Sequence, residues 1–248
     1  MKPAGKIYKM KIIYSISLLI FLTCTVSISA FAEDKKYAVT TNFQIQSERG
    51  KGAHLRSKYN DLLTMIKGKQ LDAAAISVVE LRKEFEAIFD KKLKPLVFQS
   101  KDEFDDFTKP NPNTFEWIDV SYGETLQMQG FIATEHKKLS EALEISKKIE
   151  SIAPISAGNA AETGYLLTLM GMPEQGLAAY LRAYNLSMMY SSQNPYRASS
   201  LRGIGSSLID LNELDKAERA FIASLAIEPG NEVATNELAF IREKKKTK

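Results

Sequence analysis

The chain has 248 residues, 44% of them hydrophobic, which is enough to bury a sizeable core. The formal net charge is only +3, and the single cysteine, Cys24, excludes a disulfide framework and a cysteine-ligated zinc site. The two histidines, His54 and His136, are far apart in sequence and lack the local spacing of a zinc motif.

Residues 1–32 have the pattern of a secretory signal peptide. A basic start precedes an apolar run over residues 12–28, and Ala30 with Ala32 offers a signal-peptidase site. We therefore predict a periplasmic or secreted protein, with Met10 as an alternative start because it also opens a complete signal. A retained membrane anchor is the other interpretation, since the run approaches the ~20 residues of a span. Cleavage removes four lysines and no acidic residue, which leaves a net charge of −1 and no argument for nucleic-acid binding.

Residues 33–113 form a predicted N-terminal region of mixed character. Polar and apolar residues alternate over residues 37–46, which predicts a half-buried strand or an extended arm, and residues 96–98 are the other strand candidate. Residues 59–88 have helical spacing in two runs, separated by a glycine-lysine break. Ser100 is suited to capping a short acidic helix that a proline-rich turn follows. We expect two helices here, with a possible short β-hairpin or arm.

The remainder of the chain repeats a pattern built on a glycine. Each of three glycines is followed 12 residues later by a small residue, and 16 residues later by a residue that is aromatic in two of the three copies. The glycines are Gly130, Gly164 and Gly205, and the residues 16 positions later are Ser146, Tyr180 and Phe221. Such spacing predicts stacked helix pairs, in which small residues let the helices approach and the aromatic ring fills the gap between them.

The helix boundaries follow from the apolar periodicity and from the turn residues between the runs. We predict helices over residues 115–136, 139–154, 160–170, 174–190, 196–211 and 214–227, and a last helix capped by Asn231. Extra residues near 188–194 separate the second copy from the third. A divergent earlier copy is suggested by Ala74, which lies two periods of 34 before Ala142, although Leu62 stands in the glycine's place.

One copy resembles the tetratricopeptide repeat (TPR) closely: Leu201-x-x-Ile204-Gly205-x-x-Leu208, then Ala217-x-x-x-Phe221, then Pro229. The chain departs from that family's pattern at Ser146, which replaces a large residue, and in the spacing of 41 between Gly176 and Ala217. The resemblance covers about half of the chain after the signal. It implies an all-α, TPR-like helix-pair solenoid over residues 114–248, ending in a capping helix.

The resemblance also implies a binding groove on the concave surface of the first helices. Its predicted lining residues are Gln127, Phe131, Tyr165, Leu169, Arg202, Ser206 and Ile209. Some members of the family grip a C-terminal carboxylate with paired lysines and asparagines. Only Arg202 is cationic among the predicted residues, so we do not expect that mode here.

We expect an exported, non-catalytic adaptor that binds a protein or peptide, with no cofactor, no metal and no nucleic acid. One alternative is a cell-envelope hydrolase with an acid-based site in residues 33–113, where Glu80, Glu84 and His54 are candidates. Another is an immunity-type or structural protein that occludes one secreted partner. Membrane contact is expected only through an uncleaved signal or the basic tail at residues 244–248. The sequence leaves the oligomeric state open.

Overall fold

A computed structural model of the protein describes residues 47–246. The predicted signal peptide and the predicted strand at residues 37–46 lie outside these residues. Within them the chain forms ten α-helices and two short strands. The helices are α1 (Arg56–Lys67), α2 (Leu71–Ala87), α3 (Lys101–Thr108), α4 (Val120–Glu135), α5 (Leu139–Ile152), α6 (Ala157–Leu169), α7 (Pro173–Met189), α8 (Arg197–Asp210), α9 (Leu214–Ile227) and α10 (Glu232–Lys246).

Eight of these helices form four hairpins that stack in chain order, as the repeats predict. Hairpin 1 is α1–α2, hairpin 2 is α4–α5, hairpin 3 is α6–α7 and hairpin 4 is α8–α9, and α10 packs on α9. The small residue early in each second helix is buried, as the close approach of the helices requires: Ala74, Ala142, Gly176 and Ala217. Hairpin 1 packs against α4 through α2, which agrees with the predicted divergent copy.

The two strands replace the start of a helix that the periodicity predicted. We expected residues 115–136 to be one helix, but Phe115–Ile118 is strand β2, and α4 begins only at Val120. Strand β2 pairs in parallel with β1 (Lys94–Val97), which confirms the candidate strand at residues 96 and 97 but not at 98, and this pairing was not predicted. Aromatic and β-branched residues favour a strand, and their apolar spacing over one turn does not distinguish it from a helix.

A buried ion pair fixes the junction between β2 and α4. Asp119 is fully buried and caps α4, where its side chain accepts from the backbone N–H of Ser121. The Arg56 guanidinium, in the first turn of α1, donates to the same carboxylate at 2.7 Å, and the N–H of Gly50 donates at 3.1 Å. Together these bonds satisfy the buried charge. They attach the insertion between α2 and α4 (residues 88–119) to hairpin 1.

The apolar interior is divided into separate clusters. One core lies within hairpins 1 and 2, and a second lies within hairpins 3 and 4 and α10. The two meet on α6, where Leu166 belongs to the first and Tyr165 to the second. A third, small cluster joins the insertion to Ile155. Between residues 47 and 246, no helix combines the length and apolarity that a membrane span needs.

Candidate binding groove between hairpins 2 and 3

The motif glycines of hairpins 3 and 4 each lie against the aromatic ring that follows them. A Cβ atom added to Gly164 would lie 2.8 Å from the ring of Tyr180, and one added to Gly205 would lie 2.6 Å from the ring of Phe221. Real Cβ atoms do not approach that closely, so glycine is required at both positions. The two copies are therefore equivalent in depth and in neighbours.

The motif glycine of hairpin 2 has a different environment. A Cβ atom on Gly130 would meet only Cγ2 of Ile145, at 3.6 Å, which is an ordinary contact. The reason is that Ser146 stands where Tyr180 and Phe221 stand in the other copies. The space that a ring fills in hairpins 3 and 4 is not filled by the serine side chain.

Ser146 instead links α5 to α6 through polar contacts. Its Oγ lies 2.6 Å from the Thr163 hydroxyl and donates to Oδ1 of Asn159 at 3.1 Å. The Asn159 amide returns a hydrogen bond to the Ser146 carbonyl at 3.0 Å. All of these groups belong to the boundary between the two apolar cores. The boundary is held by hydrogen bonds because it lacks the ring.

The missing ring leaves a pocket, which we call the Ser146 pocket. Its volume is about 480 Å³ including the open mouth. Side chains from α4, α5 and α6 line it, most of them apolar, and its polar lining includes Gln127 and Glu162. The apolar lining includes Met128, Phe131, Ala142, Ile145, Ile149 and Leu166.

A second pocket adjoins the first, and the insertion forms one wall of it. We call it the insertion pocket; its volume is also about 480 Å³ including open solvent. It brings the insertion next to the turn at Ser191–Tyr196, which contains some of the extra residues between the second and third copies and forms part of another wall. Gln127 lines both pockets, which places them side by side. The lining of the insertion pocket includes Val97, Phe98, Glu103, Glu124, Gln127 and Tyr196.

The charged side chains that line the two pockets are all acidic: Glu103, Glu124 and Glu162. Burial raises the pKa of Glu124 to about 7, and the hydrogen bond that it accepts from the Tyr59 hydroxyl opposes this shift. Burial also raises the pKa of Glu162 to about 7. Both carboxyls therefore change their ionisation at a higher pH than an exposed glutamate does.

Two buried acceptors in this groove have no hydrogen-bond partner among residues 47–246. They are Oε2 of Glu103 and Oε1 of Gln127. A buried acceptor without a donor costs free energy, and such groups in native proteins call for an explanation. The arrangement therefore places carboxyls and two unsatisfied acceptors beside an apolar pocket.

The structure separates the seven residues that the resemblance placed in the groove. Gln127 and Phe131 lie in the pockets and are half-buried. Leu169 and Ser206 are half-buried and line neither of the two pockets. The other three, Tyr165, Arg202 and Ile209, are buried at 4%, 6% and 2% exposure.

Arg202, the one predicted cation of the groove, is a structural residue of hairpin 4. Its Nη1 donates to Oε2 of Glu228 at 2.6 Å and to Oγ of Ser224 at 3.2 Å. Both partners belong to the end of the same hairpin. A role in binding for any of the seven predicted residues stays a prediction.

Sequence reasoning missed the carboxyls of the groove, and a signal for one of them exists. Glu162 lies two residues before the motif glycine of hairpin 3, where hairpin 4 has Gly203. An acidic residue at a position where another copy has glycine is an exception to the repeat that the sequence alone reveals. Glu103 and Val97 gave no such signal, because they come from the insertion and reach the groove only through the tertiary fold.

The residues of the alternative, hydrolytic prediction lie away from the two pockets. His54 and Glu80 are exposed, and Glu84 forms an ion pair with Lys58 at 2.6 Å on the surface of hairpin 1. His136 follows the last turn of α4, and its Nε2 lies 3.5 Å from Oδ1 of Asp72. Within residues 47–246, no three histidine, cysteine or acidic side chains are grouped as metal ligands.

No protein-family model and no curated protein matches this chain. Among solved structures, a protein of Podosopora anserina with nearly identical TPR-like repeats, named after the kinesin light chain, aligns with a TM-score of 0.56 at 11% identity, over 79% of this chain and 88% of that one. The MamA protein aligns with a TM-score of 0.49 at 19% identity, over 76% and 81%. The first TPR domain of Spaghetti (RPAP3), bound to the HSP90 peptide SRMEEVD, aligns with a TM-score of 0.44 at 20% identity, over 49% and 91%.

The first of these alignments concerns the fold, and it agrees with the packing described above. Four stacked hairpins, a capping helix and equivalent glycine-ring contacts in hairpins 3 and 4 are the features of a repeat array. The described part of this chain is therefore a TPR-like helix-pair solenoid.

Proposed function

We propose that this chain is an exported, non-catalytic scaffold that binds a protein or peptide partner in the groove between hairpins 2 and 3. The observation that supports it most is the pair of adjoining pockets that share Gln127. Helix-pair solenoids present extended concave surfaces suited to such partners. An open, partly apolar pocket with a few convergent polar groups is the usual form of a binding site.

The chemistry of the groove favours binding over catalysis. The Ser146 hydroxyl is engaged by Asn159 and Thr163, neither of which is a base. The Ser156 hydroxyl caps α6 by accepting from the N–H of Asn159. Neither of these two serine hydroxyls is hydrogen-bonded to a base, so accepting hydrogen bonds from a partner is the simpler role for the carboxyls that line the pockets.

Export rests on the signal pattern of residues 1–32. Amino-terminal sequencing of the protein purified from its native cells tests it directly. We expect a chain that begins at Glu33, after the Ala30 and Ala32 site. A mature chain that still begins at Met1 or Met10 would contradict the proposed cleavage.

Site-specific photo-crosslinking tests the groove. A crosslinking amino acid is placed at Gln127, inside the groove, and in a matched control at Glu80, which is exposed on hairpin 1. In native cells we expect covalent adducts with one partner or a small set of partners from position 127 and not from position 80. The same adducts from both positions, or none from position 127 while the variant remains folded, would show that the groove is not the binding surface.

A further inference from the structure

The junction between hairpins 3 and 4 shows what the Ser146 pocket lacks. There the ring of Tyr180 lies between two glycines, since a Cβ on Gly164 would be 2.8 Å from it and a Cβ on Gly203 only 2.2 Å. One junction earlier, Ser146 stands in place of the tyrosine. Glu162, two residues before the motif glycine, stands in place of Gly203.

We propose that the Ser146 pocket receives an aromatic side chain from a partner peptide, and that a lysine or arginine close to it in the same peptide lies in the insertion pocket. This proposal rests on the proposed function and specifies its partner. The partner's ring occupies the space that the chain's own ring occupies at the next junction. The peptide thus completes the repeat array at the boundary between the two cores.

The shape and lining of the pocket favour an aromatic ring. Met128, Ile145 and Leu166 contribute apolar surface from three different helices. The same fold already holds a ring at the equivalent place in hairpins 3 and 4, where Tyr180 and Phe221 are 8% and 0% exposed. Aromatic side chains bury a large area at a low cost in conformational entropy, which is why they dominate binding energies.

The charge of the groove favours a basic neighbour for that ring. Glu103, Glu124 and Glu162 are the charged residues that line the two pockets, and none of the lining residues is a cation. Oε2 of Glu103 and Oε1 of Gln127 are buried and accept no hydrogen bond from residues 47–246, and a rotation of these two lining side chains would bring both acceptors to ammonium or guanidinium donors in the pocket. An acidic peptide would be repelled by these carboxylates, and its own carboxylates could not donate hydrogen bonds to the unsatisfied acceptors.

Short fluorescent peptides of defined sequence test the proposal. Each carries one phenylalanine and one lysine at a separation of one to four residues, with neutral flanks. Matched analogues replace lysine by glutamate or phenylalanine by alanine. We expect at least one separation to bind with an affinity about 10-fold or more above that of both analogues. Fluorescence polarisation at low salt and near neutral pH measures these affinities.

Two protein variants locate the binding. Ser146→Tyr with Glu162→Gly rebuilds the arrangement of Tyr180 and Gly203, and we expect it to lower the affinity of the best peptide about 10-fold or more. Gly130→Leu fills the pocket from α4 instead, where a Cβ is tolerated. It replaces the first variant in the test if that variant does not fold, and the same loss of affinity is expected. Glu80→Gln on hairpin 1 is the control that leaves binding unchanged.

Several outcomes would overturn the proposal. If acidic or alanine analogues bind equally well and are lost in the pocket-filling variants, the partner class is wrong while the groove remains a binding site. If no peptide of the series binds but Gln127 still crosslinks in cells, only this inference fails; if neither is seen, the proposed function fails too. If deletion of residues 33–46 raises peptide affinity about 10-fold, the occupant of the pocket is the chain's own segment. If Ser146→Tyr with Glu162→Gly dissociates a dimer, the occupant is a second copy of the chain.

Discussion

The two halves of the helical array differ in how their hairpins are joined. In the carboxy-terminal half, Tyr180 and Phe221 pack on glycines and make each junction apolar. In the amino-terminal half, hairpins 1 and 2 share an apolar core and are linked by an insertion with a buried ion pair, whereas hairpin 2 meets hairpin 3 through Ser146 and Asn159. The regular half is filled by its own side chains. The irregular half has the polar junction and both pockets, so departures from the repeat mark the candidate site.

The largest effect is expected at the buried ion pair of the irregular half. Asp119→Ala leaves the Arg56 guanidinium, whose side chain is 14% exposed, without its carboxylate and removes the cap of α4. Loss of one partner from a buried pair costs about 3–5 kcal/mol of unfolding free energy. Urea unfolding followed by circular dichroism measures it.

The exposed pair of Lys58 and Glu84 is the matched control for that substitution. Its side chains are 54% and 41% exposed, so Glu84→Ala should cost about 1 kcal/mol or less. Equal losses in the two variants would mean that the ion pair does not hold the insertion to hairpin 1.

In the regular half, the close contact between glycine and ring gives the next largest effect. A Cβ on Gly203 would lie 2.2 Å from the Tyr180 ring, so Gly203→Ala forces the ring or a helix to move. Overpacking of this kind costs about 1–3 kcal/mol. Thermal unfolding measures the loss, and Tyr180→Leu in the same chain should recover part of it. If Tyr180→Leu gives no recovery, the ring is not the group that is displaced.

The same contrast explains how much of the fold the sequence predicts. The glycine-small-aromatic spacing encodes contacts within a hairpin, so it predicts hairpins 2 to 4 and the burial of Ala217. It does not encode contacts between distant segments. Phe115–Ile118 was predicted as helix because its partner strand, Lys94–Val97, lies about twenty residues earlier and is not implied by local periodicity.

The surroundings of the groove are less evident from the sequence than the helices are, for the same physical reason. Arg202 was predicted to line the groove from its place on a first helix, whereas in the structure it pairs with Glu228, at the end of the hairpin, and is 6% exposed. Ser146 was visible as an exception to the repeat. Glu162 lines the same pocket as Ser146, and Glu103 lines the insertion pocket. Both placements depend on how the hairpins and the insertion pack together, which the repeat pattern does not encode.

The polar junction should also make stability depend on pH. Burial raises the pKa of Glu124 and Glu162 from 4.5 to about 7, so between these pH values the folded state binds more protons than the unfolded state. The contribution of each group to the free energy of unfolding is therefore full below about pH 4.5 and is lost as the pH rises through about 7. Both side chains are half-buried, so water screens part of this effect. The double variant Glu124→Gln with Glu162→Gln, which cannot ionise, should therefore gain about 1–3 kcal/mol over wild type between low and high pH.

Urea unfolding of both proteins below and above this window measures the gain. Glu80→Gln, at an exposed position of hairpin 1, is the control and should show no such change. A difference between double variant and wild type that is the same at both pH values would mean that burial does not raise the pKa of these two carboxyls.

The smallest expected effect is a gain in stability rather than a loss. It comes from substituting the motif glycine of the irregular half, with the motif glycine of the regular half as the comparison. A Cβ on Gly130 finds an ordinary contact of 3.6 Å, whereas one on Gly164 meets the Tyr180 ring at 2.8 Å. Gly130→Ala should therefore stabilise the protein by about 0.5–1 kcal/mol, because alanine has the higher helix propensity, while Gly164→Ala should destabilise it. Thermal unfolding of the two variants in parallel gives both signs. If both substitutions destabilise alike, the space beside Gly130 is filled in solution, and a Ser146 pocket that opens from α4 is ruled out.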